Sequence, residues 1–295
     1  MVLVAWSLSS VFVKYLIREG YDSHTQNFYR YASGTLVVLP FLARRGHGPV
    51  AVLDRRLLLV LLAATLPNLG HQISWTVALN WIHPGLASFL NKSSVFFSAL
   101  LAFVFYRDER WLLRSKRFLA GLTLTIGGTL GLALWRGDLG RMEVNAGVAL
   151  ALVAALSWST YSVVVKRPTE EIGSTRSFAV VGIYTTVVLF VVALCFGHLE
   201  LWWRMPWHVN AIMIASGAFC IGVGHTLYYY AMRRLTVSVC ATMLLTTPLG
   251  TLLISRWLFG EQMGVGQLIS GSILIGGAFL TLMAKEKTVV MGSSA

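Results

Sequence analysis

The sequence predicts an all-α integral membrane protein with ten transmembrane helices, arranged as two inverted five-helix repeats. Three observations carry this prediction: the composition, ten long apolar stretches and a similarity between the two halves of the chain. Of 295 residues, 56% are hydrophobic and only 12% are charged, whereas soluble domains carry roughly 25% charged residues. So few charges could not cover a soluble surface, which excludes soluble globular and disordered classes.

A helix that crosses a bilayer core of about 30 Å needs about 20 mainly apolar residues. Stretches of this kind recur along the whole chain, at 1–17, 26–43, 57–79, 86–105, 118–135, 146–165, 178–197, 209–231, 237–259 and 267–284. The first stretch runs into Lys14 without a small-residue cleavage site, so we interpret it as a transmembrane helix rather than a signal peptide. The three cysteines all lie in apolar stretches and form no CxxC pair, which indicates neither a disulfide framework nor a metal site.

The net charge of +12 is concentrated in the loops between these stretches. One set of alternate loops holds sixteen basic residues: Arg44, Arg45, Arg55, Arg56, Arg107, Arg110, Arg114, Lys116, Arg117, Lys166, Arg167, Arg176, Arg233, Arg234, Lys285 and Lys287. The other set holds four: Arg18, Arg136, Arg141 and Arg204. The positive-inside rule explains this asymmetry better than nucleic-acid binding does. It predicts that both termini are cytoplasmic, and we expect the protein to lie in the inner membrane.

The two halves of the chain resemble each other in a shared order. Matching positions include Trp6, Ser7, Ser10 and Lys14 with Trp158, Ser159, Ser162 and Lys166, and Gly70-His71 with Gly224-His225. We therefore divide the chain into repeats at 1–137 and 138–287. Because five spans is an odd number, the second repeat must be inserted upside down relative to the first. Inverted repeats are typical of secondary transporters.

Several short motifs together resemble a known family. They are Trp6-Ser7-Leu8-Ser9-Ser10, Arg30, Ala87-Ser88-Phe89-Leu90, Ala99-Leu100-Leu101-Ala102-Phe103 before Asp108-Glu109-Arg110, and the glycine-rich spans five and ten. The chain is similar in these to the EamA-type members of the drug/metabolite transporter superfamily. The resemblance implies a 5+5 inverted topology, a central cavity lined by spans one to four and six to nine, and transport of amino acids, metabolites or drugs, often outward. The family often has proline in span four, where Ser94 stands here, whereas Pro248 keeps it in span nine.

Lys92 is the most informative residue for function. It lies about six residues inside the outer end of span four, which at 1.5 Å per residue places it roughly 9 Å below that surface. Intramembrane cations usually face a cavity or a partner, so Lys92 with Asn91 is a candidate anchor for a carboxylate or phosphate. Snorkelling of the lysine to the outer interface is the alternative interpretation.

His71 and His225 occupy matching positions in spans three and eight, each after a glycine. Further polar and aromatic side chains lie next to them, namely Gln72, Trp75, Tyr228 and Tyr229. As functional groups they would bind a solute by hydrogen bonds and ring contacts; otherwise they serve as polar links between helices. Trp158, which precedes small hydroxyl residues in span six, and Thr246 and Thr247, which precede the helix-bending Pro248 in span nine, complete the predicted substrate-binding set.

No catalytic, metal-binding or cofactor-binding motif occurs in the sequence. It contains no GxxxxGK[ST] phosphate loop, no HExxH and no GxSxG, and no Asp or Glu falls within a predicted span. Small-residue faces at Gly127-xxx-Gly131 and Ser272-xxx-Gly276 allow close helix packing within the chain or in a homodimer, which is not required.

We therefore predict that the protein is not an enzyme. Its predicted partners are a small-molecule solute and the lipid bilayer. The sequence favours a secondary transporter that exports an amino acid or related carboxylate by alternating access. Transport of phosphorylated or strongly anionic solutes is the alternative within that class, and it would need a second cation near Lys92. A lipid flippase or a membrane enzyme is the alternative from a different class.

Overall fold

The computed structural model describes residues 1–41, 55–105, 115–134, 146–234, 244, 247–260 and 264–289. Within these ranges all regular structure is helical and no strand is present. The α-helices, in chain order, are α1 (Val2–Arg18), α2 (Ser23–Val38), α3 (Arg55–Trp81), α4 (Pro84–Leu90), α5 (Ser94–Phe105), α6 (Lys116–Leu134), α7 (Ala146–Ile172), α8 (Ser174–Phe196), α9 (Leu201–Arg204), α10 (Trp207–Ser216), α11 (Gly224–Arg234), α12 (Thr247–Phe259) and α13 (Val265–Val289).

Local sequence explains where several helices begin. Asp22 caps α2, because its Oδ1 accepts hydrogen bonds from the backbone N–H groups of His24 and Thr25, both at 2.9 Å. Pro84 occupies the first turn of α4, where its missing N–H removes no helical hydrogen bond. Gly173, at φ +92°, allows the sharp turn between α7 and α8.

In the part of the chain that the structure describes, four helices are long and apolar enough to cross a membrane: Arg55–Trp81, Ala146–Ile172, Ser174–Phe196 and the continuous helix Trp207–Arg233. In each of these helices, only 44–56% of an apolar segment of 18 residues is buried within the protein. The remaining apolar side chains face outward, as Leu66 (71% exposed) and Phe196 (72% exposed) do. Such surfaces are suited to lipid contact, so this is a multi-pass membrane protein.

The fourth predicted span is not one continuous helix. A single 3-10 turn, Asn91–Ser93, separates α4 from α5 at the Asn-Lys-Ser-Ser run. Serine and asparagine side chains compete for backbone hydrogen bonds, and here Ser93 Oγ donates to the Leu90 carbonyl at 2.6 Å. The interruption places Lys92 at the break rather than on a regular helical face.

The eighth predicted span is also irregular, because a π-helical segment, Gly217–Val223, joins α10 to α11. Its glycines lie against α2: a Cβ added to Gly222 would be 2.7 Å from the Gly34 carbonyl oxygen, and one added to Gly217 would be 2.7 Å from the Arg30 Cα. The π segment therefore forms where two backbones meet without side chains between them, and π segments frequently occur at functional sites.

The glycine-rich spans five and ten pack together as α6 and α13. Of the predicted glycines, Gly131 lies against Ser270, whereas Gly127 and Gly276 face open space among the described residues. Gly128 lies against Leu274 and Gly277 against Thr125. The close packing is thus within the chain. The first part of span nine and most of the basic loops lie outside the described residues, and the inverted repeats, the repeat bounds and the orientation stay predictions.

Candidate functional site

A central cavity of about 660 Å³, measured to its open mouth, lies where α1, α3, α7, the two irregular turns and the start of α12 meet. It is lined by Trp6, Ser9, His71, Gln72, Trp75, Ser88, Asn91, Lys92, Ser94, Trp158, Cys220, Ile221, His225, Leu244 and Thr247. None of these residues is acidic. Among the described residues, no group of three His, Cys, Asp or Glu side chains is arranged to hold a metal ion.

Lys92 brings a positive charge to this cavity without a counter-ion. Its side chain is 7% exposed, and its ammonium forms no ion pair or hydrogen bond with the described residues. An unpaired buried cation is costly, and this cost is reduced when an anion binds beside it. Its burial also argues against the snorkelling interpretation, because the side chain is enclosed by protein.

The backbone around Lys92 is held by a neighbouring helix. Ser159 Oγ on α7 lies 2.8 Å from the Ser94 carbonyl oxygen and 2.9 Å from the Ala155 carbonyl oxygen, so its single hydroxyl proton is shared between the two acceptors. The buried Asn91 Oδ1 has no hydrogen-bond partner and also lines the cavity. The turn thus presents a cation and a free acceptor to the same space.

The two histidines of the matching Gly-His pairs both reach this cavity. His71 Nδ1 lies 2.9 Å from the Ala154 carbonyl oxygen and His225 Nδ1 lies 3.1 Å from the Ile221 carbonyl oxygen. Since a carbonyl only accepts, Nδ1 carries the proton in both rings and Nε2 remains an acceptor. The Nε2 atom of His225 is buried without a hydrogen-bond partner, which leaves it available to accept a hydrogen bond from a solute.

Tryptophan rings form the apolar wall. Trp6 meets Trp158 edge to face with centroids 5.1 Å apart, and His71 stacks on Trp75 at 6.1 Å and contacts Trp158 at 5.1 Å. His225 contacts the same two central rings, Trp6 at 5.5 Å and Trp158 at 5.8 Å. Aromatic residues from the two halves of the sequence therefore form one cluster.

The predicted site residues fall into three groups. Eight of them line the cavity: His71, Gln72, Trp75, Asn91, Lys92, Trp158, His225 and Thr247. Tyr228 and Tyr229 are not among its lining residues: Tyr228 packs against Trp6 with ring centroids 5.0 Å apart, and the hydroxyl of Tyr229 is hydrogen-bonded to that of Tyr161. A role for these two tyrosines in solute binding stays a prediction. Thr246 lies outside the described residues.

Sequence reasoning missed Ser9 as a lining residue and did not assign a role to Arg30. Arg30 on α2 is 2% exposed. Its Nη2 donates to Ser9 Oγ at 2.9 Å and its Nε donates to Ser216 Oγ at 3.2 Å. The sequence did contain a signal for a role of Arg30, since this arginine falls within a predicted span that holds no acidic residue. Its burial, however, depends on how α2 meets the π segment.

A second, wider cavity of about 920 Å³ lies between α3, α5 and α7. Its walls are mainly apolar, with Arg56, Arg167 and Glu171 among its lining residues. It contains none of the unpartnered buried polar atoms found in the central cavity. We therefore assign the candidate site to the smaller central cavity.

The family model of the EamA-like transporter family matches residues 1–134 and 145–283. The chain belongs to the EamA-like transporter family. The resemblance seen in the short sequence motifs is thus confirmed. Membership in this transporter family also fits the expectation that the protein is not an enzyme.

Two relatives of this EamA-like chain are described as uncharacterized transporters. One, from Haemophilus influenzae, is 24% identical over 193 residues, which cover 64% of this chain and 62% of the relative. The other, from Clostridium kluyveri, is 23% identical over 141 residues, which cover 48% of this chain and 45% of the relative. The matched region thus spans less than two thirds of either relative.

A solved crystal structure has a similar fold. It superposes with a TM-score of 0.65 at 17% identity and covers 97% of this chain and 98% of that chain. At this identity the similarity establishes the fold and nothing about the solute.

Proposed function

We propose that the protein is a secondary transporter that moves a small carboxylate solute, such as an amino acid or a related metabolite, through the central cavity. The observation that carries this proposal is Lys92, a buried ammonium on the cavity wall with no counter-ion among the described residues. A carboxylate would neutralise this charge, and the tryptophan rings would contact the apolar part of the solute.

We propose alternating access, in which the cavity opens to one side of the membrane at a time. Ten spans in two inverted repeats would place nearly equivalent halves on either side of the site, which is the arrangement that permits this mechanism. We also propose that the protein lies in the inner membrane with both termini cytoplasmic, and that the direction is export, as the resemblance to EamA-type transporters implies. The histidine pair, Asn91 and the tryptophans would then bind the solute in both states.

The test is uptake into proteoliposomes that contain the purified protein. Labelled monocarboxylates, dicarboxylates, amino acids and cationic drugs are supplied one class at a time, with protein-free vesicles as the baseline. We expect uptake of at least one carboxylate, and its loss in Lys92→Met. Lys14→Met is the matched control, because the Lys14 ammonium donates to the Leu79 carbonyl at 2.7 Å and does not line the cavity.

Two outcomes would overturn this proposal. The proposal loses its basis if no solute class is taken up above the level seen in protein-free vesicles. Movement of a fluorescent phospholipid between leaflets without solute uptake would instead favour the lipid flippase that the sequence left open.

A further inference from the structure

We propose that Arg30, acting through Ser9, is the second cation of this site, and that the transported solute carries two acidic groups. This inference rests on the proposed function and narrows its solute class. The structural basis is a second buried charge beside the cavity: the Arg30 guanidinium is 2% exposed and forms no ion pair with the described residues. Its hydrogen-bond partners among the described residues are the hydroxyls of Ser9 and Ser216.

The direction of the hydrogen bond from Arg30 fixes what Ser9 can do. A guanidinium has donors and no acceptor, so Ser9 Oγ must accept from Nη2, at 2.9 Å. The Ser9 hydroxyl therefore keeps its own proton to donate. Ser9 also lines the cavity, so it presents to a solute a hydroxyl donor that a buried positive charge polarises. Such a donor favours an anionic acceptor over a neutral one.

Lys92 and Ser9 come from different helices and border the same cavity. The Lys92 ammonium and the Ser9 hydroxyl backed by Arg30 would then both act on one solute. The described lining contains no carboxylate to hold a solute ammonium. One acidic group would bind at Lys92 and the other at the Ser9 hydroxyl backed by Arg30. A zwitterion would place its ammonium in a positive environment, so a diacid should bind more tightly than an amino acid of the same length.

The second hydrogen bond of Arg30 supplies a matched control. Arg30 Nε donates to Ser216 Oγ at 3.2 Å, and Ser216 Oγ donates to the Met213 carbonyl at 2.9 Å. Ser216 does not line the cavity. If Arg30 only links helices, Ser9→Ala and Ser216→Ala should have similar effects. If Arg30 acts on the solute through Ser9, only Ser9→Ala should change the preference for diacids.

The experiment compares compounds that differ in one end group. For each chain length from three to six carbons, the α,ω-dicarboxylate is compared with the unbranched monocarboxylate and with the ω-amino acid of the same number of carbons. Succinate, butyrate and 4-aminobutyrate are the four-carbon set. 3-Phosphonopropionate, in which a phosphonate replaces one carboxylate of succinate, tests whether the second acid is a phosphate-type group. Affinity is measured by thermal stabilisation of the purified protein and by inhibition of carboxylate uptake into proteoliposomes.

We expect at least one diacid to bind about 10-fold or more tightly than its monoacid and amino-acid counterparts, since a hydrogen bond to a charged group is worth that much. Ser9→Ala and Arg30→Gln should remove this preference, because they weaken binding of the diacid more than binding of the monoacid. Arg30→Lys should keep part of it, and Ser216→Ala should keep all of it. If Arg30→Gln does not fold, Ser9→Ala and Arg30→Lys decide the question.

The outcomes separate this inference from the proposed function. Lys92-dependent transport of monoacids or amino acids with no preference for diacids would overturn the two-cation site and leave the transporter assignment in place. Equal effects of Ser9→Ala and Ser216→Ala on the diacid preference would show that Arg30 is a helix link. Absence of binding and uptake for every compound would overturn both.

Discussion

Replacing Lys92 by methionine should stabilise the protein in the absence of solute. The ammonium is buried without a partner among the described residues, and a lysine at the centre of a membrane helix costs roughly 3 kcal/mol. Methionine keeps most of the side-chain volume and removes the charge. We therefore expect Lys92→Met to raise the free energy of unfolding by up to about 3 kcal/mol, an increase of several degrees in Tm at roughly 2–4 °C per kcal/mol.

The same substitution should abolish stabilisation by the solute. A solute present at 100 times its dissociation constant stabilises the native state by about 2.7 kcal/mol, and this shift should be lost when its anchor is removed. Thermal unfolding of the detergent-purified protein, with and without the carboxylate panel, measures both effects. Lys14→Met is the control: it loses a hydrogen bond to the Leu79 carbonyl and should melt at a lower temperature, with solute stabilisation intact.

Melting temperatures can refute the role that we propose for Lys92. If Lys92→Met melts below the parent without solute and is still stabilised by the same carboxylates, the lysine supports the fold and does not bind the solute. A variant that is stabler and inactive would instead show that the unpaired charge is retained for function at a cost in stability.

Three further outcomes follow from the packing and the hydrogen bonds. Gly217→Ala should lower the free energy of unfolding by about 1–3 kcal/mol, because the added Cβ meets the α2 backbone. Gly127→Ala lies in open space among the described residues and should raise it by about 1 kcal/mol through helix propensity. Equal melting temperatures of the two variants would contradict both expectations. Ser159→Ala should lower stability by about 1 kcal/mol, since the Ser94 carbonyl loses its donor, and a chemical-denaturation series would detect the loss. His225→Asn removes the free Nε2 acceptor, so uptake should fall about 10-fold with little change in melting temperature; unchanged uptake would place the ring outside the transport path.

The sequence was sufficient to predict the residues whose type is rare in a membrane. A lysine and two histidines within apolar stretches stand out without any structure, because polar groups at that depth need a partner or a cavity. The structure places all three on one cavity. Scarcity of residue type therefore led to the cavity that we assign as the candidate site, and the two histidines at matching positions of the two halves both line it.

Features that depend on the approach of two helices could not be predicted in this way. Tyr228 and Tyr229 follow His225 at three- and four-residue spacing, which puts them near the same helix face, yet neither is among the residues that line the cavity, and Tyr228 packs against the Trp6 ring. The partners of Arg30 likewise come from α1 and from the end of α10. Neither arrangement leaves a periodic signal in the sequence of a single helix.

The two irregular turns of the backbone meet at the cavity, and this has a mechanical consequence. Irregular backbone at membrane depth is tolerated where protein or a cavity satisfies the freed polar groups. Here the Ser94 carbonyl accepts from Ser159 Oγ at 2.8 Å and the Cys220 carbonyl accepts from Trp6 Nε1 at 3.1 Å. Each such bond contributes only about 1 kcal/mol, but the π segment is also held by Gly217 and Gly222 against the α2 backbone. We therefore expect a change in helix direction to cost less at the Asn91–Ser93 turn than at the π segment. This turn carries Lys92, so a motion there would move the group that we propose holds the solute.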